Sequence, residues 1–310
     1  MKSMLDLSTY IKLIRSGEVV AFPTETVYGL GADAWNPSAI RKVFEVKGRP
    51  SDNPLIVHIA NSEEVHNFAD KVPDSAQRLM DGFWPGPLTI VLKKKPKVLD
   101  LITAGLDTVA LRMPDHPLAF EFISKTGPLV APSANRSGKP SPTKAEHVRA
   151  DFGDNFPVID GGATEVGLES TVVDLTSEFP LILRPGIIGE EELGSVLNME
   201  VRVASSEEEK PRSPGQKYSH YKPQASVKYG RIGDPKNNTL YLVQNEFEKS
   251  ENIISYNGDL SLLSKELYDR FRQADLEGFS AIFIENIDEH KKNYPPFYSA
   301  LLNRIQKAKR

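Results

Sequence analysis

The 310-residue sequence predicts an α/β (α+β) chain with one large mixed sheet and a second, smaller α/β domain. Three observations lead there. At roughly 150 residues per domain, the length suggests about two domains. From Glu18 to about Ala204, apolar β-rich runs alternate with helical patterns and turn residues separate them. At residues 205–224, SSEEEKPRSPGQKYSHYKPQ, the apolar period vanishes into Ser, Glu, Lys and Pro, which reads as a linker. The expected division is therefore 1–204, a linker over 205–225, and a small domain over 226–310.

In chain order, EVVAF, PLIVHI, LTIVLK, TVALR, PLVAPS, STVVDL and LILR read as strands, several with neighbouring apolar residues that suit burial on both faces. A helix is expected from Asn36, which can cap it. Pro37 suits the first turn, Ile40, Val43 and Phe44 share a face, and the helix should run into Lys47. Thr143, with Glu146 three residues on, predicts a second helix start by a capping box. Beyond the linker, VKYGRI, TLYLVQ, NIISY and AIFIEN read as strands. One helix lies on Leu263, Leu267 and Phe271, and a terminal one near Leu301 to Ile305.

Hydrophobic residues make up 39% and charged residues 26%, which excludes collagen-like and wholly disordered classes. Thirty-eight basic against 42 acidic residues give a net charge of −4, so no global polycation is present to hold nucleic acid. The absence of cysteine removes disulfides, thiolate zinc sites and cysteine nucleophiles, and favours a reducing compartment. No stretch approaches the roughly 20 apolar residues of a membrane span, so the cytoplasm is the expected location.

Familiar motifs are missing: there is no GxxxxGK[ST], GxSxG or HExxH, and GLGA is too short for a dinucleotide fingerprint. Chemistry must come from constellations. In KGRPSDNPLIVHIA, Lys47 and Arg49 stand where a helix breaks at Pro50, followed by Asn53 and an apolar strand interrupted by His58. Such cations hold phosphate or carboxylate oxygens, though the same pair also suits a solvated surface and His58 a satisfied core position. VAPSANRSGKPSPT places small hydroxyl residues and turns after a buried strand, which suits an anion or a sugar as well as a bland polar loop. LESTVVD puts Ser170 and Thr171 at a strand mouth. Arg49, Arg112 and Arg184 stand at strand or helix ends, each followed by proline or by one residue and then proline, which points to a polyanionic ligand.

The ordered motifs PTETVYGLGADA, KGRPSDNPLIVHI, FWPGPLT, RMPDHP, PSANRSGKPSPT, ESTVVD and LRPGII resemble the YrdC-type threonylcarbamoyl-AMP synthase family over residues 8–200. Lys47 and Arg49 with Ser133 and Asn135 resemble its KxR and SxN signature. SPGQKYSHYKP resembles the linker of its long branch, which joins a large twisted mixed-sheet domain to a small Rossmann-like one. The glycine-rich segment expected before the last helix is absent from PPFYSALLNRIQKA.

That resemblance implies a nucleotidyltransferase. Threonine, bicarbonate and ATP would give threonylcarbamoyl-AMP and pyrophosphate, and the product would pass to a tRNA threonylcarbamoyltransferase complex, with weak or no direct tRNA binding and no membrane. It implies Lys47 and Arg49 as catalytic cations. Threonine would meet Thr26, Tyr28, His58, Arg112, Ala131 and Ser170. ATP would meet Lys47, Arg49, Asn53, Thr108, Ser133, Asn135, Ser141, Arg184 and Tyr221, with His220 nearby. Magnesium would bridge the phosphates without a dedicated protein cage.

Two rivals stand beside it. A double-stranded RNA-binding module would bind without consuming ATP, but residues 1–204 hold 21 basic and 27 acidic groups. A carbamoyltransferase of the hydrogenase-maturation type would need a cysteine zinc module that a cysteine-free chain does not have. Two tyrosines, a histidine and basic residues in Ser213 to Pro223 suit a substrate-covering lid better than a plain spacer.

Overall fold

The structure, a computed structural model, describes residues 6–204, 221–246 and 250–309. The expected lid, Ser213 to Pro223, falls outside the described residues up to and including His220.

The first domain runs α1 (Ser8–Arg15), β1 (Val20–Phe22), β2 (Gly29–Asp33), α2 (Pro37–Lys47), β3 (Ile56–His58), α3 (Val65–Phe68), α4 (Asp74–Phe83), β4 (Leu88–Lys93), α5 (Asp100–Thr103), β5 (Thr108–Arg112), α6 (Pro117–Thr126), β6 (Leu129–Val130), α7 (Ala145–Phe152), β7 (Thr171–Asp174), β8 (Leu181–Arg184), α8 (Glu190–Leu197) and β9 (Arg202–Val203). Its strands form one mixed sheet, ordered β1-β2-β6-β3-β5-β4-β7-β8-β9. β3 with β5, β4 with β7, and β8 with β9 are parallel pairs, and the others are antiparallel.

The second domain runs β10 (Ser226–Gly230), β11 (Thr239–Val243), β12 (Ile253–Ser255), α9 (Leu260–Leu276), β13 (Ala281–Glu285) and α10 (Pro295–Lys309). Its sheet, β10-β13-β11-β12, is parallel throughout. Leu240, Leu242, Ile282 and Ile284 pack there against Leu263, Leu267 and Phe271 of α9 and Leu301 and Ile305 of α10. Burial on both faces explains why TLYLV carries no polar alternation.

Helix α2 shows how local chemistry delivers cations to a chosen point. Asn36 Oδ1 accepts from the amides of Ser38 and Ala39, and Pro37 opens the first turn. Ile40, Val43 and Phe44 enter the core. Gly48, at φ 60°, stops the helix in the left-handed conformation that lacks a steric cost only for glycine. Lys47 and Arg49 thus flank the stop.

The capping box expected at Thr143 does not form. α7 starts at Ala145 after Lys144, with no side-chain cap. The Thr143 amide donates to His147 Nδ1 at 3.2 Å, and His147 Nε2 lies 3.0 Å from Asp269 of α9. His147, held from its other ring nitrogen by Asp269 of the second domain, has taken the role the local motif predicted for Glu146.

Ion pairs fix that contact. Arg272 donates to both oxygens of Asp151 at 3.2 and 2.9 Å and to the carbonyl of Pro140, while Lys144 reaches Asp269 at 2.9 Å. At Gly167, a Cβ would come within 2.5 Å of the α9 backbone at Ser264 and Lys265, so the absence of a side chain lets the two domains approach.

Candidate active site

Period-two alternation sorts the central strands into two faces. Val57, Ile90, Leu92, Val109, Leu111 and Val173 enter the main core. The alternate residues Ile56, Val91, Ala110 and Val172 form a small apolar cluster on the other face. The same parity puts His58 on the face of Ile56, Arg112 on that of Ala110, and Ser170 on that of Val172. A register shift between β7 and β8 at Val172 and Val173 brings Arg184 opposite Val172. Arg184 Nε and Nη2 then donate to the backbone oxygen and Oγ of Ser170, both at 3.0 Å.

A cavity opens on this face, with Thr24, Val27, Gly29, Arg49, Pro54, Leu55, Ile56, His58, Arg112, Ala131, Pro132, Ser133, Glu169, Arg184 and Tyr221 around it. Arg49, Arg112 and Arg184 are therefore walls of one space. Arg49 Nη2 donates to the carbonyls of Pro54 and Asn53 at 3.1 and 3.4 Å. Arg112 donates to Thr26 Oγ1 at 2.8 Å and to the Gly86 carbonyl at 3.3 Å. Its Nη2 also lies 2.8 Å from Glu25 Oε2. Neither Glu25 carboxylate oxygen accepts a hydrogen bond among the described residues, so the contact is Coulombic.

Burial sets the protonation states. His58, 3% exposed, is pushed down to about 3 by burial and then by the Arg112 charge, so it is neutral at pH 7. Burial likewise holds Lys47 well below the ordinary lysine range, with Arg49 adding to the shift. Burial alone would raise the pKa of Glu169. The charges of Arg304 and Arg184, with hydrogen bonds from Ser141 and Arg304, outweigh it and hold the carboxyl at about 2.

Among the expected residues, Arg49, His58, Arg112, Ala131, Ser133, Arg184 and Tyr221 line the cavity. Others stand one bond behind it. Lys47 Nζ donates to the carbonyls of Ser133 and Asn135, the latter at 2.6 Å, and so clasps the loop after β6. Thr26 supports Arg112, Ser170 supports Arg184, and Ser141 Oγ donates to Glu169 Oε1 at 2.5 Å. Asn135 Nδ2 donates to the carbonyls of Arg136 and Lys139. Asn53 is fully buried beside Pro54, with neither side-chain amide atom hydrogen-bonded among the described residues.

Two further expected residues, Tyr28 and Thr108, do not line the cavity either. Tyr28 is in the core, where its hydroxyl donates to the Gly162 carbonyl at 2.7 Å and accepts from the Gly161 amide at 3.1 Å. Thr108 starts β5, four residues before Arg112 and so roughly 13 Å along the strand, and borders a neighbouring depression that shares Pro54 and Leu55. Glu25, Glu169, Tyr268 and Arg304 were not anticipated. The first two lie inside PTETVYGLG and ESTVVD, but no local pattern joins Tyr268 or Arg304 to residues more than 90 positions away.

A family model described as telomere recombination, Sua5/YciO/YrdC, matches residues 12–186. A second, described as the C-terminal domain of threonylcarbamoyl-AMP synthase, matches residues 188–309. The chain belongs to the threonylcarbamoyl-AMP synthase family. It is 42% identical to threonylcarbamoyl-AMP synthase of Pyrococcus abyssi over 95% of this chain and 91% of that one. With the Bacillus subtilis threonylcarbamoyl-AMP synthase the identity is 53%, over 69% of this chain and 64%, just under two thirds, of that protein. The crystal structure of P. abyssi Sua5 complexed with L-threonine superposes with a TM-score of 0.88 at 38% identity, covering 97% of this chain and 93% of that one. In this synthase-family chain, the match to the C-terminal domain spans both helices, α9 and α10, that reach Glu169.

Proposed function

We propose that the chain is a nucleotidyltransferase, L-threonylcarbamoyladenylate synthase. Threonine and bicarbonate lose water to give a carbamate, and a carbamate oxygen attacks the α-phosphorus of ATP. That forms the mixed anhydride threonylcarbamoyl-AMP and breaks the bond to pyrophosphate. The observation that carries this reading is the convergence of Arg49, Arg112 and Arg184 on one cavity whose histidine is a neutral, weak base. A carbamate is already a nucleophile, so the protein need only position two anions and offset charge at phosphorus.

Arg112, Thr26, His58, the backbone at Ala131 and Ser170 make up the threonine side. The guanidinium suits the amino-acid carboxylate. Lys47, Arg49, Asn53, Ser133, Asn135, Ser141, Arg184 and Tyr221 make up the nucleotide side, with Thr108 in the adjoining depression. Magnesium, carried on the phosphates, would supply charge neutralisation. The residues fit that arrangement, because Glu169, the only carboxylate among the described lining residues, is taken by Arg304, Tyr268 and Ser141. The product is an activated carbamoyl donor suited to a tRNA threonylcarbamoyltransferase complex. Among the described residues, no helix is long and apolar enough to cross a membrane. We place the enzyme in the cytoplasm, where a cysteine-free chain loses nothing to a reducing environment.

The test is pyrophosphate release by purified protein with ATP, magnesium, threonine and bicarbonate, omitting each in turn. Release should require both threonine and bicarbonate. Equal release with either one missing would overturn the proposed reaction.

A further inference from the structure

The cavity holds an anion where its ligand would be one. Glu169 is 6% exposed and ionised, lines the same space as Arg49 and Arg184, and feels the Arg184 charge. An uncompensated carboxylate there would oppose a triphosphate and also draw Arg184 toward itself. The compensation comes from the other domain. Arg304 of α10, 0% exposed, donates from Nε to Glu169 Oε2 at 2.9 Å, from Nη2 to the Glu169 backbone oxygen at 3.3 Å, and from Nη1 to the Pro185 carbonyl at 2.8 Å. One side chain thereby ties Glu169, two residues before β7, to Pro185, the residue after β8. Tyr268 of α9 adds its hydroxyl to Glu169 Oε2 at 3.0 Å.

The same two residues seat another wall. The Tyr221 ring stacks on Tyr268, with centroids 5.3 Å apart and planes at 28°, and lies 5.6 Å from the Arg304 guanidinium. Glu169 in turn accepts from Ser141, in the loop that follows the SxN segment. Arg304 and Tyr268 therefore stand behind Glu169, Ser141, Tyr221 and the Arg184–Pro185 turn, all on the nucleotide side, whereas Arg112 and Thr26 on the threonine side bond to neither.

Resting on the synthase reading, we infer that the second domain completes the nucleotide site: Arg304 supplies the counter-charge and Tyr268 the hydrogen bond that keep Glu169 from opposing the triphosphate. Both are positioning residues that act through Glu169 and Tyr221. The second domain is on this account a structural part of the ATP site.

ATP and threonine affinities, measured by titration calorimetry on full-length protein, test this with Arg304→Met, Tyr268→Phe and the double variant Arg304→Met/Glu169→Gln, each checked by thermal unfolding. Arg304→Met should bind ATP at least roughly tenfold more weakly with threonine affinity within twofold, because a buried carboxylate is left uncompensated. Removing that charge with Glu169→Gln should restore most of the ATP affinity. A purely structural role predicts no such rescue. Tyr268→Phe, which keeps the ring and the ion pair, should weaken ATP by roughly two- to fivefold. Wild-type ATP affinity in Arg304→Met, or in Tyr268→Phe if the former does not fold, would overturn the inference. So would an equal loss of ATP and threonine binding, or a double variant no better than Arg304→Met. Adenylate synthesis by the wild type is run alongside. Its failure would count against the synthase reading, whereas the relative ATP affinities bear on Arg304.

Discussion

Replacing Lys47 with Met tests the most unusual cation in the site. The unbranched side chain keeps most of the volume at the end of α2 but removes the ammonium that donates to the carbonyls of Ser133 and Asn135. One buried and one part-buried carbonyl lose a partner, at about 1 to 3 kcal/mol each, and relief of the desolvation that holds Lys47 below its ordinary pKa returns part of that. A net destabilisation of about 2 kcal/mol is expected. Turnover should suffer more. Ser133 borders the cavity and its loop loses its clasp, and a cation near the developing charge is gone. In comparable sites one lost donor costs about 2.7 to 4 kcal/mol, or roughly a hundred- to a thousandfold in kcat. Urea unfolding gives the first quantity and pyrophosphate release at saturating substrates the second. A wild-type unfolding midpoint with kcat within threefold of wild type would refute the reasoning. A stability loss without a kcat loss would reduce Lys47 to a structural clasp.

Arg112→Gln should raise the apparent KM for threonine at least roughly tenfold while changing the KM for ATP little, and an unchanged threonine KM would remove Arg112 from the carboxylate site. Serine should be a poorer substrate than threonine by about 1 to 3 kcal/mol in kcat/KM, because it lacks one methyl, and parity would contradict a pocket shaped to threonine. Burial, then Arg112, depresses the His58 pKa, so the unfolded chain takes up a proton below about 6.5 that the native state refuses until about 3. Stability should therefore fall as pH drops through that window, by an order of 2 kcal/mol between pH 6.5 and 4.5. His58→Gln should flatten the dependence, and equal slopes in wild type and variant would show that His58 is not its source.

Much of this site was legible because strand periodicity and chain punctuation are local. Alternation in PLIVHI and TVALR puts His58 and Arg112 on the face of Ile56 and Ala110, and Gly48 and Pro50 mark where α2 must stop between Lys47 and Arg49. Three arginines followed by proline, directly or after one residue, lie near element ends, where side chains can converge across neighbouring strands. Longer-range reasoning was less legible. Nothing in ESTVVD says that Glu169 will meet an arginine 135 residues later, and nothing around Thr143 says that His147 will be engaged by Asp269. Tyr28 follows the same lesson: PTETVYGLG offers its ring to a pocket, but the hydroxyl is satisfied by the backbone at Gly161 and Gly162. GLGAD, not among the expected strands, forms β2, where Gly31 leaves room for the Phe22 ring, which would stand 2.9 Å from a Cβ there.

The central claim is that a carbamate built from threonine and bicarbonate is adenylated at the α-phosphorus of ATP in the cavity walled by Arg49, Arg112 and Arg184. The most direct measurement uses ¹³C-bicarbonate with ATP, threonine, magnesium and the full-length protein, following the adenylate by mass spectrometry and pyrophosphate in the same samples. The expected product is a threonylcarbamoyl-adenylate that carries the label and appears one for one with pyrophosphate. An unlabelled adenylate, or phosphate and ADP in place of pyrophosphate, would contradict it.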